Sequence, residues 1–78
     1  MNKKEYLLRA KITRRGNAVK KLEIELTRFA EVLYNLPDDN EKEKTKILAK
    51  MTKYRTRIDE YNAERKALIQ KVVNIPDL

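Results

Sequence analysis

The sequence predicts an all-α chain, an antiparallel two-helix coiled-coil hairpin that dimerises into a four-helix bundle. Three observations predict it. Apolar residues recur at alternating spacings of three and four through both halves of the chain. One segment with turn chemistry, Pro37-Asp38-Asp39-Asn40, separates the halves. One glycine and two prolines in 78 residues leave too few turn residues for a sheet. The length allows a single domain, 1–78, with a first helix over about 3–36, a turn at 37–40 and a second helix over about 41–74.

The first helix begins beside Asn2, which with Glu5 forms a capping-box pattern: the amide satisfies free N–H groups and the carboxylate reaches back. Its heptads place Ile12, Val19, Leu26 and Leu33 at position a, and Leu8, Arg15, Leu22, Phe29 and Leu36 at d. Arg14-Arg15-Gly16-Asn17 has the chemistry of a helix C-cap, so a break at Gly16 that gives three helices stands beside a continuous helix. The heptad runs in phase from Ile12 to Val19, which favours continuity. Glycine within a helix costs only about 1 kcal/mol relative to alanine.

Pro37 ends the first helix, because it lacks an N–H and restricts Leu36. Asp38 with Glu41, or Asn40 with Glu43, is expected to cap the second helix, and the acids there complement its positive end. The second stripe places Ile47, Tyr54, Tyr61, Leu68 and Ile75 at d, with Lys44, Met51, Ile58, Arg65 and Val72 at a. Pro76 stops that helix near Asn74.

A connection this short makes the helices antiparallel neighbours. Facing residues should then have numbers summing to about 80, which joins every a to a d. The interior violations, Arg15 and Arg65, fall in one layer. Two readings fit both: snorkelling over the seam with Glu64 offsetting some charge, or a polar layer that fixes register or holds an anion.

Two helices alone bury little, so self-association is expected. A small, uncharged stripe behind the core of the second helix (Thr45, Ala49, Thr52, Thr56, Ala63) and the outward Ile24 are the candidate oligomer or partner interface.

The net charge of +7 is uneven. Residues 1–21 hold Lys3, Lys4, Arg9, Lys11, Arg14, Arg15, Lys20 and Lys21 against Glu5 alone. Arg28 shares a heptad column with Arg14 and Lys21, and these nine cations form the candidate polyanion site. A second basic block, 44–57, is expected to be partly neutralised by Glu23, Glu25 and Glu31.

Catalytic apparatus is missing. Without Cys or His the chain lacks a thiolate nucleophile, a zinc–thiolate site and the usual base near neutral pH. No Gly-rich phosphate loop or metal-spaced ligand set occurs, so no enzyme activity, cofactor, metal or small-molecule substrate is expected. The apolar run after Met1 breaks at Arg9, and no stretch of about eighteen apolar residues follows, so a cytoplasmic protein without a membrane span is expected. The expected role is a nucleic-acid-contacting accessory or regulatory factor of phage or plasmid type. The alternative is a protein–protein interaction module (inhibitor, adaptor, scaffold or chaperone) that docks its spare helical faces on another protein.

Overall fold

The computed structural model describes residues 3–74. Two α-helices of 33 residues, α1 (Lys3–Asn35) and α2 (Glu41–Val73), pack antiparallel along one seam. At 1.5 Å per residue each is about 50 Å long, which makes the hairpin a rod. The capping pattern at Asn2 and the stop at Pro76 lie outside the described residues.

The heptads account for the packing. Every apolar a or d residue from Leu8 to Val72 is buried or half-buried. Among the described residues, burial is most complete at Leu8, Val19 and Met51, and none is wholly shut off from water. Two cylinders in contact cover only one stripe of each other, and the rest of the seam keeps one edge in water. Cross-seam contacts place the register. The Phe29 and Tyr54 rings lie 5.4 Å apart at 58°, and Lys50 Nζ stands 6.0 Å from the Phe29 ring. Arg15 meets Glu64, and Arg65 meets Gly16. The numbers of these pairs sum to about 79–83, around the expected 80.

α1 stops at Asn35, one residue short of the sequence expectation. Leu36 precedes proline, which disfavours helical dihedrals there, and its N–H turns back to the Leu33 carbonyl at 3.3 Å. The Asn40 N–H closes a turn on the Pro37 carbonyl at 3.1 Å, and the Lys44 N–H makes the first bond of α2 to the Asn40 carbonyl at 3.2 Å. The expected side-chain cap does not form. Asn40 occupies the N-cap position with φ −93° and ψ 59°, away from the extended dihedrals of a capping residue, and its side chain makes no capping hydrogen bond. Lys44 fastens the turn instead: its Nζ lies 3.4 Å from the Asp38 carbonyl and 3.6 Å from the Asp38 carboxylate. A lysine at a seam position beside the turn thereby has a structural task. α2 ends where the Asn74 N–H bonds the Gln70 carbonyl at 3.0 Å.

α1 is continuous through Gly16, and no described residue has positive φ. The Arg15 and Arg65 layer does not form a shared polar site. Arg15 turns to one flank, where its Nε donates to Glu64 at 2.8 Å. Arg65 lies across Gly16, and its Nε is shut off from water without a hydrogen-bond partner. A Cβ added at Gly16 would meet the Arg65 guanidinium at 3.6 Å, an ordinary van der Waals distance. Gly16→Ala should therefore keep the packing and gain about 1 kcal/mol from helix propensity. A thermal melt followed by circular dichroism should rise by about 4–8 °C. A lower melting temperature would mean that Arg65 needs the space a methyl group takes.

Candidate nucleic-acid interface

Antiparallel packing sets position g of α1 beside position g of α2 on one flank, and e beside e on the other. Surface hollows on the rod follow this division. One is lined by Lys11, Arg15, Glu64, Ala67, Leu68 and Lys71, from the g side. Another is lined by Arg9, Ile12, Thr13, Ile69, Val72 and Val73, from the e side.

The flank built from positions c and g is basic along its length. α1 contributes Lys4, Lys11, Arg14, Lys21 and Arg28, and α2 contributes Lys46, Lys50, Lys53, Arg57 and Lys71, all exposed. Each acid on this flank is already engaged. Glu25 pairs with Arg28 at 2.9 Å, Glu43 with Lys46 at 3.6 Å, Glu60 with Arg57 at 3.1 Å and Glu64 with Arg15 at 2.8 Å. These are solvent-exposed pairs that contribute little to stability. Lys11, Arg14, Lys21 and Lys53 make no ion pair with any described residue. Arg57 lies 4.8 Å from the Tyr61 ring. Its pKa is raised above the ordinary arginine value, first by the hydrogen bond to Glu60 and then by one to Tyr61, so it stays a cation throughout the working pH range.

The structure sorts the nine sequence candidates. Lys4, Lys11, Arg14, Lys21 and Arg28 share the basic flank, and Arg15 leans onto it through Glu64. Arg9 and Lys20 belong to the opposite flank, and Lys3 to the outer edge of α1. Arg9 is also tied to Glu5 at 3.0 Å. The α2 cations are the residues that reading the first block alone leaves out. Those within the block 44–57 are expected from the sequence to be partly neutralised by Glu23, Glu25 and Glu31, and among the described residues no ion pair joins those glutamates to α2. Glu25 is held within α1 by Arg28, three residues on. The signal that finds the α2 cations is their heptad position, since c and g of both helices must share a flank.

The interface candidates are all exposed. Ile24, at 55% exposure, lies at position f of α1, whereas Ala49, Thr56 and Ala63 lie at f of α2. These face away from each other across the hairpin, and the fold does not bring them together. Thr45 and Thr52 fall on the b and e flank.

Among the described residues, no group of three or more His, Cys, Asp or Glu could hold a metal ion, and no helix is long and apolar enough to cross a membrane. Comparison with protein-family models, with curated proteins and with solved structures finds no match in any of the three.

Proposed function

We propose that the hairpin is a non-catalytic nucleic-acid-contacting protein, acting as an accessory or regulatory factor whose basic flank lies along a phosphate backbone. The observation that carries this reading is the convergence of cations from both helices on one flank whose acids are all occupied. Arg14, Lys21 and Arg28 repeat every seven residues, so they recur about every 10 Å along the rod. Such a row neutralises phosphates without reading bases.

The most exposed aromatic side chains, Tyr34 at 90% and Tyr6 at 63%, lie on the other flank. With no stacking platform beside the cations, the flank suits a duplex backbone better than an unstacked single strand. Titration of a fluorescent 20-base-pair duplex between 50 and 200 mM salt tests the proposal. The expected result is affinity that falls by about 10³-fold or more over that range, as for six or more phosphate contacts, with little dependence on sequence. Undetectable binding at 50 mM salt would exclude it.

A further inference from the structure

The flank opposite the basic one, made of positions b and e, holds four cations (Arg9, Lys20, Arg55 and Lys66) and most of the exposed apolar side chains, whereas the basic flank exposes Leu7 and Val32. Near the turn the b and e flank carries exposed Tyr34 and Leu48, and near the open end Ile69 and Val73. Its threonines have already satisfied their hydroxyls: Thr13, Thr27, Thr45 and Thr52 each donate to the carbonyl four residues earlier at 2.9–3.1 Å. Covering them would strand no donor, so the desolvation cost is low. Between the two apolar ends lie Lys20, Glu23, Arg55, Asp59 and Lys66, three cations and two anions, none of them ion-paired within the described residues.

We propose that this flank docks a second copy of the same chain, face to face about a two-fold axis, to complete a four-helix bundle. Three arguments select a second copy as the occupant. The size fits: two helices about 50 Å long and together about 20 Å across present roughly 1,000 Å², against the ~800 Å² per partner of a standard stable interface. The charge fits, because a flank with unpaired charges of both signs at its middle and apolar residues at both ends offers itself opposite charges across a two-fold axis. The core also calls for it, since among the described residues only Leu8, Val19 and Met51 are buried in the single hairpin and a helical layer is stable when packed against another layer. The basic flank stays on the outside of such a dimer, so the inference does not depend on nucleic-acid binding.

The test uses nuclease-treated full-length protein in sedimentation velocity at about 100 μM, with circular dichroism on each sample. The wild type is expected at twice the 9.3 kDa chain mass. The L48E/I69E variant changes side chains that are half-exposed in the hairpin and is expected to lose the dimer. Charge complementarity is read with two further variants. E23K/D59K makes the middle of the flank wholly cationic, and K20E/R55E/K66E makes it wholly anionic. Each alone is expected to fail to dimerise, and an equimolar mixture to give the dimer mass. If the variants lose helicity when alone, mixing should restore it, so loss of folding does not hide the result. A wild type at single-chain mass, a dimeric L48E/I69E, or a mixture that neither assembles nor regains helicity would overturn the inference.

Discussion

Reversing Lys11, Arg14, Lys21 and Lys53 together to glutamate is expected to lower affinity for duplex DNA by about a hundredfold or more near 100 mM salt. These four cations come from both helices and make no ion pair with the described residues, so their reversal breaks no fold contact recorded among those pairs. Each phosphate contact contributes about 0.9 to the slope of log affinity against log salt, so losing four should flatten that slope by about four. The slope is the decisive quantity. A variant that bound weakly because it had unfolded would lose its helical circular dichroism, whereas the expected variant keeps it. Lys42→Glu, at the outer edge of α2, changes the net charge but not the flank, and should alter the slope by less than about one. Equal effects from Lys42 and from any member of the set would mean that net charge, and not the flank, governs binding.

Met51→Ala should be among the most damaging single truncations. Met51 is the least exposed of the three buried residues, at 5%, and sits on the seam in the turn-proximal half of α2. Truncating a buried methionine costs about 2–5 kcal/mol through lost burial and the cavity left behind. For a chain this small that is a large share of the total stability. The melting temperature should fall by about 8–40 °C or cooperative unfolding should vanish, as followed by circular dichroism. Ile24→Ala is the matched comparison, since Ile24 is 55% exposed at the outer edge of α1 and its truncation should stay within about 0.5 kcal/mol. A Met51 cost below about 1 kcal/mol would show that the seam does not supply the stability of the hairpin.

Much of the architecture was legible in the residues. Alternating spacings of three and four set the helical phase, and Pro37 placed the reversal. The short connection forced antiparallel packing, and facing numbers near 80 followed from where the turn lies. Half of the basic flank was legible too, in the column of Arg14, Lys21 and Arg28. The other half was hidden because charge was counted by position along the chain. Glu23, Glu25 and Glu31 were set against the cations of α2 for being level with them along the rod. Whether two charges pair depends also on the direction each side chain leaves its helix, and Glu25 finds Arg28 closer at hand.

By itself, then, the sequence determined two helices, one turn and one register, because heptad phase and proline geometry are local properties of the chain. The tertiary structure decided what local pattern leaves open. It sent Arg15 and Arg65, expected together in one layer, to Glu64 and to the surface of Gly16 respectively. It fastened the turn through Lys44 where a side-chain cap at Asn40 was expected. It joined cations from both helices on one flank and left most of the exposed apolar side chains, Tyr6, Tyr34, Leu48, Ile69 and Val73, on the other. Each of these outcomes depends on the rotation of one helix against its neighbour and on the rotamer chosen across the gap. Spacing along a single helix specifies neither.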